Sequence, residues 1–212
     1  MKSICVIGSG ISGSTVANLL SKKYKVDVYE KAKGIGGRSS HRRYLNKLGF
    51  DHGLQYISPK TSKFKKFCSG LQKKRVLKKW QGPHNFDHSK VLENKKHTKL
   101  IGVKGNNAIS KYLLKNINCI FGYELFKIER IKKNWKLSFL NGDVKYYEIL
   151  IISIPFAQSK KLLKKFLPNF FKNKKVKMEA NITVMTVTNK IKNNFSSFLF
   201  NDEVIGLSLI HI

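Results

Sequence analysis

Ser3–Glu30 reads SICVIGSGISGSTVANLLSKKYKVDVYE, and the glycines at its centre decide the fold. Ser3–Ile7 is a short apolar run, rich in branched residues and without alternation. That pattern is expected of a strand buried on both faces of a parallel sheet. Gly8, Gly10 and Gly13 follow at once as GSGISG, and Val16, Leu19 and Leu20 then recur at helical spacing. A second strand is predicted over Val26–Tyr29 and ends in Glu30. Strand, glycine-rich turn, helix, strand and acid stand in the order of a dinucleotide-binding βαβ unit.

Each part has a physical role. Gly8 permits the tight turn, Gly10 lets a pyrophosphate approach the backbone without meeting a Cβ, and Gly13 lets helix and strand pack closely. The N–H groups at the helix start, over Ile11, Ser12 and Gly13, face the phosphates with the helix dipole behind them. Glu30, followed by Lys31, is placed to accept from an adenosine ribose. A glycine-rich turn alone is a weak signal. Its register with both strands, the helix and the acid is what makes it specific.

Beyond Glu30 the chain continues KAKGIGGRSSHRR (Lys31–Arg43) and then FDHGLQYI (Phe50–Ile57). On these segments the sequence resembles the FAD-dependent amine oxidase superfamily and, within it, renalase and its bacterial relatives. In that group the acid leads to a GGR motif, a basic stretch and a D-H-G-x-Q-Y segment beside the flavin. Here these are Glu30, Gly36-Gly37-Arg38, Arg42-Arg43 and Asp51-His52-Gly53-Leu54-Gln55-Tyr56. Ile101–Leu114 and Glu148–Leu163 resemble the group as well.

The resemblance implies FAD as cofactor. It would be held by Gly8, Gly10, Ile11, Ser12, Gly13, Glu30, Lys31, Gly36, Gly37, Arg38, Gln55 and Tyr56, with Leu125 near the adenine. It further implies that a small reduced substrate is oxidised by hydride transfer to flavin, with oxygen as acceptor. For renalases proper that substrate is a misreduced dihydronicotinamide dinucleotide. Amine oxidase or carotenoid-desaturase-like activity is the alternative within the superfamily. Asp51 and His52 suit a turn-stabilising acid and an exposed histidine as well as catalytic roles, so no catalytic residue is assigned.

Composition bounds the other classes. The formal net charge of +30 over 212 residues invites a nucleic-acid reading, as a basic protein on an α/β scaffold. The distribution argues against a specific one. Only Arg38, Arg42, Arg43, Arg75 and Arg130 are arginine, and the lysines are scattered among abundant Asn, Ile and Phe, as an AT-rich genome would produce. Three of the five arginines crowd into Arg38–Arg43, where planar binding of phosphate favours arginine. Cys5, Cys68 and Cys119 are odd in number and form no C-x-x-C pair, against a disulfide framework and in favour of a reducing compartment. No apolar run approaches a membrane span, and no leader pattern precedes the first strand, so a cytoplasmic protein is expected.

Further along, Thr61–Val76 carries Phe64, Phe67, Cys68 and Leu71 at helical spacing. Trp80–Lys99 reads as an irregular polar stretch with a turn at Gly82-Pro83. Its His84, His88 and His97, with Asp87, are taken as loop residues and no metal site is assigned. Lys99–Val103 and Asn107–Leu114 predict a second strand and helix. Tyr123–Ile131, Trp135–Leu140 and Val144–Tyr147 predict a meander, with Asn141-Gly142-Asp143 as its last turn. Ile149–Ile154 and Phe156–Phe166 return to strand and helix, and Asn181–Thr188 (NITVMTVT) reads as a strand of a second domain.

The expected fold is α/β: a Rossmann-like FAD/NAD(P)-binding domain over 1–56 and 100–167, with an incomplete α+β substrate domain over 57–99 and 168–212. Leu207–Ile212 (LSLIHI) matches a translated transposon-end sequencing adapter, and adapter read-through is expected there. Nothing after Thr188 resembles the C-terminal segment that faces the flavin in the superfamily. This chain is therefore expected to carry the adenosine and pyrophosphate half of a site and to lack turnover on its own.

Overall fold

The computed structural model describes residues 2–44, 48–81, 84–86, 98–174, 176–179, 182–187, 197–199 and 207–209. The chain opens with β1 (Ser3–Ile7), α1 (Ile11–Leu20) and β2 (Lys25–Glu30), followed by β3 (His41–Tyr44) and β4 (Leu48–Asp51). Next come α2 (Ser62–Lys73), β5 (Leu77–Lys79), β6 (His84–Phe86), β7 (Leu100–Gly102) and α3 (Ala108–Leu113). Four strands follow, β8 (Asn118–Phe121), β9 (Leu125–Ile131), β10 (Asn134–Phe139) and β11 (Val144–Tyr147). The described elements end with β12 (Ile149–Ile152), α4 (Phe156–Leu163), α5 (Pro168–Asn173), β13 (Ser197–Leu199) and β14 (Leu207–Leu209). They form two compact units, 1–40 with 109–182 and 41–108 with 183–212.

The first unit is built on a sheet in the order β12-β1-β2-β8, with every neighbouring pair parallel. β1 has no alternation because both faces are covered. Ile4, Val6, Val26 and Val28 pack on one side with Ala17 of α1 and Leu114 beyond α3. Cys5, Ile7 and Tyr29 pack on the other with Leu125, Ile128, Leu137 and Phe139 of the β9–β10–β11 meander and with Leu162 of α4. The meander turns at Gly142, whose φ of +90° suits glycine, as the Asn-Gly-Asp signal implies. The α/β, Rossmann-like fold expected from the opening residues is present.

One polar chain crosses the second of these layers. The Tyr147 hydroxyl donates to Asp27 Oδ2 at 2.8 Å, so its single proton is committed. The Tyr29 hydroxyl, 2.8 Å from that of Tyr147, must then be the donor between the two rings. Asn118 Nδ2 donates to Asp27 Oδ1 at 2.7 Å. Burial, followed by its partners Tyr29 and Asp27, holds the Tyr147 phenol protonated far above its ordinary range. Low local polarity makes the buried Tyr29–Tyr147 bond costly to break.

The second unit contains the β3–β4 hairpin, the antiparallel pair β5–β7, and β6 paired in parallel with β13, which also pairs with β14. Helix α2 starts where the sequence signals it: the Thr61 hydroxyl accepts from the N–H of Phe64 at 3.3 Å. Cys68 and Leu71 are buried on its inner face.

Several expectations are corrected. Ile182–Val187 forms no strand; Asn181 and Thr188 lie outside the described residues. An apolar, branched run has strand propensity, but without a partner ladder it is not a strand, and Ile182 and Val184 are 91% and 81% exposed. His84–Phe86 is a short strand, not irregular chain, while Gly82, Pro83, Asp87, His88 and His97 lie outside the described residues. α3 and α4 are shorter than predicted, ending at Leu113 and Leu163. No helix among the described residues is long and apolar enough to cross a membrane.

Replacing Tyr147 by Phe should lower unfolding stability by about 1–3 kcal/mol, since Asp27 loses a donor and the Tyr29 hydroxyl its acceptor. Denaturant unfolding monitored by circular dichroism reads this directly. An unchanged midpoint would show that the Tyr29–Tyr147–Asp27 chain contributes nothing.

Candidate dinucleotide site

The turn from β1 into α1 is fixed by contacts that exclude side chains. Gly8 has φ of +101°, and its N–H donates to the Tyr29 carbonyl at 2.8 Å, tying the turn to the end of β2. A Cβ on Gly13 would overlap the carbonyl oxygen of Gly8 and crowd Ser153 Oγ, so the helix reaches this depth only with glycine. Ser153 Oγ in turn donates to the carbonyls of Ile7 at 2.8 Å and Gly8 at 3.1 Å, closing the turn from the end of β12.

Gly10 differs. It precedes α1 with ordinary extended angles, φ −67° and ψ 177°, and a Cβ there would meet nothing nearer than 3.9 Å. Packing within the protein does not require glycine at this position. Gly10 brings no capping side chain, and the first turn of α1 holds no acid. The N–H groups of Ile11, Ser12 and Gly13 therefore begin the helix as donors without intrahelical acceptors.

The GGR turn lies against this surface. Gly10 and Gly36 form a parallel bridge, and Gly37, with φ of +54°, sits so close that its Cβ would fall 3.2 Å from Gly10 Cα. Gly37–Ser39 is a single tight helical turn locked by Ser39, whose N–H and hydroxyl both donate to the Gly36 carbonyl, at 2.9 and 2.8 Å. Arg38 is carried outward on it, exposed. Two glycine turns and an exposed guanidinium are a donor set that fits a pyrophosphate.

Glu30 ends β2 only 7% exposed, and its carboxylate is engaged. Oε2 accepts from both the N–H and the hydroxyl of Ser9, each at 2.8 Å, and Oε1 accepts from the N–H of Ala32 at 2.9 Å. Lys31 follows it, exposed. On β8, burial and, next, the Glu30 charge push the Cys119 thiol up to about 11, so it stays protonated at neutral pH. Cys119 offers no thiolate nucleophile here.

The structure thus gathers Gly8, Gly10, Ile11, Ser12, Gly13, Glu30, Gly36, Gly37 and Arg38 around one turn, with Lys31 at its edge. The Leu125 side chain is buried in the core cluster that also holds Tyr29 and Phe139. Sequence reasoning missed Ser9 and Ser153, which hold the turn without lining it. Ser9 stands between two glycines of the turn, but its partner Glu30 lies 21 residues away, and Ser153 lies 145 residues from its partner Gly8.

Gln55 and Tyr56 belong to the second unit. The Gln55 carbonyl accepts from Asn106 Nδ2 at 2.9 Å, and the Tyr56 ring lies 5.7 Å from that of Trp80 with Lys99 Nζ 4.7 Å over it. Burial lowers the Lys99 pKa from its ordinary value. Asp51 is a structural acid: Oδ1 accepts from the N–H of Asn106 at 2.8 Å and lies 3.0 Å from His41 Nδ1. The buried Asn106 side chain also accepts from Gly102 and donates to the Leu54 carbonyl, pinning the D-H-G-x-Q-Y segment to β7. A groove of about 470 Å³ on the first unit, lined by Phe126, Ile128, Lys161, Leu162 and Pro168 among others, shares no residue with the glycine turns.

The fold and the turn are those of a Rossmann-like α/β domain. Residues 6–71 match the family described as NAD(P)-binding Rossmann-like domain. Among solved structures the chain is similar to the crystal structure of tetracycline destructase Tet(51), with a TM-score of 0.53 and 16% sequence identity. That match covers 77% of this chain and 41% of the other, so the chain spans about two-fifths of the length of the protein it resembles. At this identity the likeness is one of fold.

Two glycine substitutions should separate packing from binding. Gly13→Ala should destabilise the protein by about 1–3 kcal/mol or more through overpacking. Gly10→Ala should keep stability within about 1 kcal/mol while weakening retention on an ADP resin. Equal loss of stability in both variants would contradict the open space seen at Gly10.

Proposed function

We propose that the chain binds FAD through the Gly8–Gly13 turn, Glu30 and the Gly36–Arg38 turn, as part of a renalase-like FAD-dependent oxidoreductase. The observation that carries the reading is the seating of Gly36-Gly37 directly on Gly10. A plain nicotinamide-binding turn does not need that second glycine pair, whereas the GGR segment is part of the superfamily the sequence resembles. On this reading residues 1–56 and 100–167 form the cofactor domain, and 57–99 with 168–212 the part that faces substrate.

The hydride-accepting chemistry would come from the flavin. The chain's own residues would bind and orient: helix-start N–H groups and Arg38 on the pyrophosphate, Glu30 on the ribose. A reduced dihydronicotinamide dinucleotide is the proposed substrate and oxygen the proposed acceptor. No acid–base pair is required of the protein, since the hydride leaves such a donor without a strong base.

Titration of the chain with FAD, followed by flavin fluorescence, tests the cofactor. Saturable binding that ADP displaces is expected, and Arg38→Lys should weaken it by about 1 kcal/mol, because the charge stays while the planar fork is lost. FAD that fails to bind, or that binds without competition from ADP, would remove the reading.

A further inference from the structure

We propose that the β9–α4–α5 face of the first unit docks on an anionic lipid surface, with its lysines against the headgroups and Phe126, Leu167 and Phe170 entering the acyl boundary. The groove between β9 and α4 marks the place. Its lining sets the apolar Phe126, Ile128, Leu162 and Pro168 beside four cations, Lys127, Lys161, Lys164 and Lys165. Lys127 Nζ lies 3.1 Å from Glu129 Oε1, so that charge is partly neutralised. Among the described residues no ion pair holds the other three, and all three are exposed. The sequence has no acid from Ile149 to Met178, and Lys160, Lys172 and Lys174 add further exposed charge to this run.

Charge alone would suit any polyanion, and the apolar side chains beside it decide between them. Phe126 is 53% exposed, Leu167 49% and Phe170 50%. Leu167 and Phe170 flank Pro168 closely in the chain, and Pro168 shares the groove with Phe126, so the three belong to one area. Leu162 of α4 and Phe171 of α5 are buried, which seats both helices and leaves these neighbours outward. Duplex DNA meets the lysines with phosphates but offers no apolar phase. A bilayer with acidic headgroups takes cations at its surface and apolar groups about 5–10 Å into the headgroup boundary. Lysine suits this double role, because its stem covers apolar surface while its ammonium reaches a headgroup. Nothing needs to cross the bilayer.

Co-sedimentation of the full chain with sucrose-loaded vesicles tests this, using phosphatidylcholine alone and a two-to-one mixture of phosphatidylcholine with phosphatidylserine. Binding is expected to the mixed vesicles and not to phosphatidylcholine alone. Reversing Lys161, Lys164 and Lys165 together to Glu should weaken it by about tenfold or more. The same reversal at Lys22, Lys23 and Lys115, exposed residues that follow α1 and α3 on the opposite face of the sheet, should cost about threefold or less. Phe170→Ser and, separately, Leu167→Ser keep the charge and should each weaken binding by about fivefold or more.

Equal weakening by the two lysine triples would mean adsorption by overall charge and would overturn the inference. So would full binding of both serine variants, or no binding to the mixed vesicles. Retention on duplex DNA that the groove triple and the serine variants abolish, with vesicle binding unchanged, would assign the face to nucleic acid instead. The glycine turns share no residue with this face, so each outcome is independent of the cofactor reading.

Discussion

No side chain fits at position 13. A Cβ there would overlap the Gly8 carbonyl, and the first unit is arranged around that missing atom. Its absence lets α1 settle into the turn leaving β1, which places the helix start beside the end of β2. The same closeness brings Ser153 onto the carbonyls of Ile7 and Gly8, so the end of β12 braces the turn from the other side. Helix depth at the turn follows from this close approach. Gly10 is the point at which packing stops and open surface begins.

The acid at the end of β2 shows how little of such a surface is free. Glu30 looks from sequence like a residue waiting for a ribose. In the folded chain it first completes the turn, taking two donors from Ser9 and one from Ala32. Stabilising the turn and recognising a ligand draw on the same lone pairs. Just before it on β2, Tyr29 and Asp27 anchor the meander through Tyr147, so the strand that presents Glu30 is held in register from its opposite face.

The opening βαβ unit was legible because its signals are local: an unbroken apolar strand, glycines at fixed offsets, helical spacing and a terminal acid. The meander was legible for the same reason, through alternation and an Asn-Gly-Asp turn. What sequence did not disclose depends on partners distant in the chain. Ser9 is unremarkable until Glu30 is beside it. His41 and Asn106 become structural only when both reach Asp51. Ile182–Val187 has strand-like composition, but a strand is a relation to a neighbour, and composition does not supply the neighbour.

Nuclear magnetic resonance of the nitrogen-15-labelled chain during titration with FAD locates the cofactor most directly. Backbone amide shifts should concentrate at Ile11, Ser12, Gly13, Gly36 and Gly37, with smaller changes at Ser9 and Ala32 as Glu30 accepts a further donor. Shifts that leave those amides unmoved, or that concentrate instead along the lysine-lined groove between β9 and α4, would contradict a dinucleotide site at the glycine turns.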